Sequence, residues 1–266
     1  SLGDGYVASE YSNVAAQVAT THDLARRTQA LMRSNRELEE FAAAVSHDLR
    51  EPLRKVVAFG RRLHSRAQGG LDDRSEDYLQ RMVGAAERMQ QLIDDLLTLS
   101  RVRVMGRAFV ERPMAIIVAG VLDDLEVLIE QTGGQVTVGL LPRVSCDPTQ
   151  VRQLVQNLVG NALKFHKPNE APQVRIEQIL CDDEGWVGFV VEDDGIGFET
   201  RFADQIFGLF QRLHGRTAYP GSGLGLAVCK RIVERHGGRI IASSTLGHGA
   251  RFEVYLPAET ARTTPA

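Results

Sequence analysis

Cysteine is scarce in this sequence. Cys146, Cys181 and Cys229 are odd in number and widely spaced, which suits neither a disulfide framework nor a zinc site and points to a reducing compartment. No apolar run reaches the roughly 18 residues that a membrane-spanning helix needs. The N-terminus also lacks the basic and apolar blocks of a signal peptide, so this piece is expected to be soluble and cytoplasmic. Neither sign of charge is in surplus: 31 Lys and Arg stand against 34 Asp and Glu, a net of -3. No face is then built for counterion release, and nucleic acid is excluded as a main partner. Repeats and low-complexity tracts are missing as well. What is present, over 266 residues, is enough chain for one or two domains with buried cores.

The first part of the chain reads as helix. Residues 10 to about 64 carry Leu24, Leu31, Leu38 and Val45 at heptad spacing, with Val14, Thr21, Thr28, Asn35 and Ala42 at the companion position. A seam that includes a polar Asn35 fits a parallel two-stranded coil, in which such a residue fixes register. In "FAAAVSHDLREPLRKV" (41–56), apolar residues Leu38, Phe41, Val45, Leu49, Leu53 and Val56 recur every three or four positions. His47 falls beside that stripe. Pro52, which cannot donate to the carbonyl four residues back, predicts a local bend.

"SRAQGGLDD" (65–73) reads as a loop ending in an acidic helix start. A second helix to about residue 104 carries Leu79, Met82, Ala86, Met89, Ile93 and Leu96 on one stripe. Two such helices make an antiparallel hairpin, which buries little alone. Two hairpins make a four-helix bundle, so the expectation is an all-α homodimer.

Past "RVRVMGR" (101–107), a candidate hinge, the pattern changes. Strand-like runs at 109–112, 135–140, 173–180, 186–193, 239–243 and 250–256 interleave with helices near 114–131, 147–165 and 223–236. Asp147-Pro148 supplies an N-cap followed by proline in the first turn. This predicts an α+β two-layer sandwich, with helices on one face of a mixed sheet. The last stretch, "ETARTTPA", reads as a loose tail.

Three segments of this second module carry chemistry. "LVQNLVGNALKF" places Asn157, Asn161 and Lys164 on one helix face. Asparagine sacrifices helix propensity there, while amide oxygens can ligate Mg²⁺ and a lysine one turn on can meet phosphate. "VVEDDGIGFE" ends a strand in Asp193, followed by Gly195 and Gly197. A carboxylate at that place can accept from an exocyclic amine such as adenine's, and the glycines let backbone approach a flat ring. "PGSGLGLAVCKRIVERHGG" puts Gly221, Gly223 and Gly225 before an amphipathic helix, where free N–H groups and the helix dipole bind phosphate. Between the last two, "IFGLFQRLHGRTAYPGSG" has the character of a mobile lid, with Phe207 and Phe210 as anchors and Arg212, His214 and Arg216 as cations. Taken singly, each segment also fits a blander part: a polar helix face, a turn without ligand, a surface loop.

Taken together and in this order, over about residues 38–257, they resemble the sensor histidine kinases of two-component signalling. "SHDLREPL" is similar to that family's phosphoacceptor block, "NLVGNALKF" to its asparagine block, "DDGIGF" and "GSGLGLAV" to its glycine blocks, and "IFGLFQRL" to its phenylalanine block. "HDLREPLRK" and "RLHGRTAYPGSGLGLAVCK" look like the soluble or light- and PAS-linked members.

The resemblance implies domains at 1–37 (a coiled-coil signalling helix), 38–105 (dimerisation and histidine phosphotransfer), 106–258 (ATP-binding catalytic) and 259–266 (tail), with a sensor domain upstream. It implies that His47 is phosphorylated from ATP and that Asp48 orients its imidazole. Asp193 would read adenine, with Gly195 and Gly197 beside it, and Asn161 would ligate Mg²⁺ next to Asn157. Lys164, Arg212 and the backbone around Gly221, Gly223, Leu224 and Gly225 would hold the phosphates. The partners implied are a second copy of the chain and a response regulator whose aspartate takes the phosphoryl group. Glu51 departs from the pattern. Where the family often has threonine or asparagine, linked to removing phosphate from the regulator, it puts a carboxylate. Two rival readings are a gyrase-like ATPase, which has a glutamate general base where Asn157 stands, and a non-catalytic dimeric scaffold.

Overall fold

A computed structural model describes residues 26, 29, 46, 49–67, 70–104, 108–181, 183, 185–213 and 222–258. By its internal packing the chain falls into two compact units, Ser1–Asp48 and Leu49–Ala266. In the first, Arg26, Gln29 and Ser46 are helical. The heptad seam, His47 and Asp48 lie outside the described residues.

The second unit opens with helix α1, residues 49–67, helical on both sides of Pro52 and running past the expected end at 64. Helix α2 (Asp73–Val104) begins with Asp73 and Glu76 in its first turn, where acidic side chains favour a helix start. Asp72 caps this turn, accepting from the Ser75 N–H at 2.7 Å. The two helices pack through small residues. A Cβ on Gly60 would lie 2.3 Å from Val83 Cγ2, so only glycine admits this approach. Cross-helix pairs add Arg50 to Asp94, Nε to Oδ1 at 3.0 Å, and Arg61 to Glu87 at 2.6 Å. Leu79 and Ala86 of the predicted stripe are buried, whereas Met82 and Met89, with Phe59 and Leu63 of α1, stay exposed. The hairpin therefore leaves a set of large apolar side chains uncovered.

The rest of this unit follows as β1 (Val110–Pro113), α3 (Met114–Asp124), α4 (Glu126–Thr132), β2 (Gln135–Val138), β3 (Arg143–Cys146), α5 (Pro148–Lys164), β4 (Gln173–Ile179), β5 (Trp186–Asp193), α6 (Gly225–Arg235), β6 (Arg239–Ser244) and β7 (Ala250–Pro257). Short 3-10 turns at Thr200–Phe202 and Gln205–Phe207 precede α6. A five-stranded sheet has the order β2-β4-β5-β7-β6, with β2 and β4 parallel and the other pairs antiparallel. β1 and β3 form a separate antiparallel pair.

Alternation along the strands sends Val174, Ile176, Phe189, Val191, Phe252, Val254 and Leu256 into one core with the apolar faces of α3, α5 and α6. The opposite face carries Arg175, Glu192, Arg251 and Glu253 in linked ion pairs. This is the expected two-layer α+β sandwich preceded by a helical hairpin.

Three expectations need correction. The helix predicted over 114–131 is two, because the backbone turns at Leu125, whose N–H is shared between the carbonyls of Val121 and Leu122. Arg143–Cys146 is a strand that the hydrophobic pattern did not announce; its four residues pair only with β1. Helix α6 starts at Gly225, two residues later than expected.

One cluster ties the chain's entry into this module to both of its long helices. The Phe109 ring stacks on His236, centroids 4.5 Å apart and 10° from parallel, and Arg235 lies over the same ring at 5.1 Å. His236 Nε2 accepts from the Asp147 backbone N–H at 3.0 Å, and its Nδ1 is 2.7 Å from the Ile232 carbonyl, to which it donates. Both bonds require the neutral ring with its proton on Nδ1. Burial, the larger influence, lowers the imidazole pKa accordingly.

Candidate functional site: a cavity between two helices and a glycine turn

Helix α5 is capped by Asp147, whose Oδ1 accepts from the Thr149 N–H at 3.0 Å and the Gln150 N–H at 3.4 Å, with Pro148 as first helical residue. Its apolar face, Val151, Leu154, Val155, Leu158, Ala162 and Leu163, is buried in the core. Burying that face turns Asn157, Asn161 and Lys164 towards a cavity of about 320 Å³. The Asn157 Nδ2 donates to the Gly225 carbonyl at 3.2 Å. The half-buried Asn161 amide has no hydrogen-bond partner among the described residues. Lys164 Nζ sits 4.4 Å above the Phe165 ring. Burial, and then the charge of Arg212, pull its amine down to about 8.

Asp193 closes the other side. It ends β5, and its Oδ1 accepts from the Gly195 N–H at 2.9 Å and the Ala250 N–H at 3.2 Å. Burial pushes the carboxyl up to about 6, although those two N–H groups pull the other way. The turn after it fits only without side chains. A Cβ at Gly195 would lie 2.3 Å from the Phe165 carbonyl oxygen. Gly249, at φ 87°, would put one 1.9 Å from the Asp193 carbonyl. Ser244 fastens the turn, its Oγ accepting from the Phe198 N–H at 2.8 Å and donating to the Gly249 carbonyl at 2.6 Å.

The remaining wall comes from residues 211–213, from Ser222 and Gly223, and from the start of α6. Arg212, Ser222, Gly223, Gly225 and Leu226 line the cavity. The Leu224 side chain is buried, and its backbone N–H donates to Ser222 Oγ at 3.2 Å. Phe207 is buried as expected of an anchor. Phe210 is not an anchor: it sits at φ 59° and is 59% exposed.

Of the residues singled out from sequence, Asn157, Asn161, Lys164, Asp193, Gly197, Arg212, Gly223 and Gly225 all line this one cavity. Gly195 and Leu224 stand just behind it. His47, Asp48, Gly221, His214 and Arg216 lie outside the described residues. Sequence reasoning missed Ser244, Ala250 and Phe252, and also Gln91 and Asp95, which reach the cavity from α2. The cavity thus offers a buried acceptor, two cations, an unpartnered amide and a helix N-terminus, a set suited to a nucleotide with its phosphates.

Comparison with known proteins agrees with that chemistry. Residues 146–260 match the family model for histidine kinase-, DNA gyrase B- and HSP90-like ATPases. Residues 37–103 match that for the His kinase A phospho-acceptor domain. The chain belongs to the histidine-kinase family and carries its phosphoacceptor and ATPase domains. Among curated relatives, cyanobacterial phytochrome A of Nostoc sp. is 43% identical over 88% of this chain and 30% of its own length. Phytochrome-like protein Cph1 of Synechocystis sp. is 38% identical over 88% and 31%. The chain therefore spans under a third of the length of these relatives. The structure of full-length ShkA in complex with AMPPNP superposes with a TM-score of 0.62 at 26% identity, covering 82% of this chain and 46% of that one. Among the described residues no helix is long and apolar enough to cross a membrane.

Proposed function

We propose that this chain is the catalytic core of a sensor kinase that phosphorylates His47 from ATP and passes the phosphoryl group to an aspartate of a response regulator. The observation that carries the reading is the meeting of Asn161, Lys164, Arg212 and the buried Asp193 in one cavity. Asp193 accepts from the adenine amine, and Lys164, Arg212 and the N-terminus of α6 neutralise the phosphates. Asn161, an oxygen donor whose amide has no hydrogen-bond partner among the described residues, fits a Mg²⁺ ligand, and the metal would draw charge off the phosphate oxygens. Catalysis of such a transfer is mostly positioning and charge neutralisation. The His47 imidazole supplies the attacking nitrogen, and Asp48 is the neighbouring carboxylate that orients it and steadies the charge formed on attack.

The exposed stripe of Phe59, Leu63, Met82 and Met89 is the surface that a second hairpin would cover in a homodimeric four-helix bundle. Domain limits at 37, 105 and 258, a hinge at 101–107, an upstream sensor domain and a cytoplasmic setting belong to the same reading. Glu51 pairs with Lys55 at 2.8 Å with both side chains more than half exposed, a contact worth little. Its carboxylate disfavours phosphate removal from the regulator.

The test is incubation with γ-labelled ATP. Label that is lost in acid and kept in alkali, and that His47→Gln abolishes while nucleotide binding persists, is the expected result. Label retained by the His47→Gln variant rules out His47 as the acceptor. A fragment ending near residue 105 should remain dimeric in sedimentation.

A further inference from the structure

Two of the residues lining the cavity come from outside the ATPase fold. Gln91 and Asp95 lie one turn apart on α2, and the Gln91 amide donates to Asp95 Oδ1 at 2.8 Å. Their neighbour Asp94 is held instead by Arg50 of α1. One turn of α2 thus sends adjacent carboxylates to different tasks: Asp94 closes the hairpin and Asp95 faces the cavity. The helix reaches it because α2 packs against α6, whose first residue, Gly225, is part of the same wall.

Among the described residues, the charged ones around the cavity are Asp95, Lys164, Asp193 and Arg212. Asp193 is bound into its own turn through the N–H groups of Gly195 and Ala250. Burial, and after it the charge of Arg212, lowers the proton affinity of Lys164. Among the described residues no carboxylate pairs with Lys164. The Asp95 carboxylate adds a negative charge to the wall of the same cavity. Once polyphosphate fills the site, the same charge opposes it.

We propose that Asp95 is an electrostatic gate that sets the preference of this site between ADP and ATP. With α2 docked, its carboxylate on the cavity wall penalises each added phosphate charge, so ATP suffers more than ADP. Bound ATP in turn favours withdrawal of α2, since a ligand that binds one arrangement better shifts the population towards it. This rests on the reading of the cavity as the ATP site. The charge count is unaffected by which group accepts the phosphate.

The experiment uses the full chain with Asp95→Asn, which keeps shape and acceptor capacity but removes the charge, and Asp95→Glu, which keeps the charge. Titration with ATP and with ADP at low salt should show Asp95→Asn binding ATP about three- to tenfold more tightly than wild type, with a smaller gain for ADP. The gain should shrink in high salt as the interaction is screened. Asp95→Glu should resemble wild type. An unchanged ATP-to-ADP preference in Asp95→Asn overturns the gate. Weaker ATP binding that appears only with Mg²⁺ also overturns it, because Asp95 would then be holding the metal. A wild-type chain that binds neither nucleotide removes the ATP-site reading and the gate together. Wild-type binding with an indifferent Asp95→Asn removes the gate alone.

Discussion

Asn157 on α5 donates its side-chain amide to the backbone carbonyl of Gly225, the first residue of α6, at 3.2 Å and across 68 positions of sequence. Asn157 therefore sets where the glycine-rich helix start lies relative to Asn161 and Lys164. Replacing it with alanine should cost about 1 kcal/mol of stability for the lost hydrogen bond, and nucleotide affinity should fall about tenfold as the α6 start loosens. Asn157→Asp should be worse on both counts, since it sets a carboxylate against a carbonyl. Thermal melts and nucleotide titration read the two effects separately.

Asp193 gives the site a pH dependence. Its carboxyl is pushed up to about 6 by burial, and only the ionised form accepts from an amine with both oxygens. ATP affinity should hold above pH 6 and fall as pH drops through it, by up to about tenfold per unit. The sign for folding is the reverse. A folded-state pKa above the unfolded value favours the fold at acid pH, and that stabilisation is lost as pH rises through about 6. Asp193→Asn should therefore melt higher than wild type at neutral pH without nucleotide while binding ATP poorly. A melting temperature that does not rise would place the strain elsewhere.

Lys164 should make ATP binding take up protons. Its amine, lowered to about 8 by burial and by Arg212, regains its ordinary proton affinity when phosphate arrives. Calorimetry near pH 8 in buffers of different ionisation enthalpy should show net uptake. Lys164→Arg, charged throughout, should abolish the uptake and flatten the fall in affinity above pH 8.

Gly249→Ala tests the turn that holds Asp193. At φ 87° with an added Cβ 1.9 Å from the Asp193 carbonyl, the variant should lose more than about 2 kcal/mol and most of its nucleotide binding. A denaturant midpoint close to wild type would show that the turn relaxes freely.

The elements that sequence pattern resolved best are those whose burial it records directly. Trp186–Asp193 matches the strand-like run read at 186–193, and its four central residues, Gly188 to Val191, are all buried. The asparagine face of α5 was likewise legible from spacing alone. β3 was not: Arg143–Cys146 is four residues long, and what makes it a strand is β1, more than thirty residues earlier. The break at Leu125 carries neither glycine nor proline to announce it. Phe210 carries an anchor's side chain, yet its left-handed backbone points that chain outward. Gln91 and Asp95 gave no local signal, since a polar turn on a hairpin helix looks like any solvated face until another module is packed beside it. Ser244 escaped for a related reason: its partners Phe198 and Gly249 meet only after the sheet has formed.

The stack of Phe109 on His236 has a mechanical meaning. His236 follows the last turn of α6, and through its Nε2 it grips the residue that caps α5. The two helices that carry the asparagine wall and the glycine wall thus share a mooring at the far end of each from the cavity. The chain arriving from the hairpin is tied to that mooring by one aromatic ring. A pull on the linker at 108–109 is felt by both walls at once, without passing through the sheet, and two helices moved together keep their spacing. Input from the hairpin can then tilt the whole nucleotide cradle as one piece rather than pry it open.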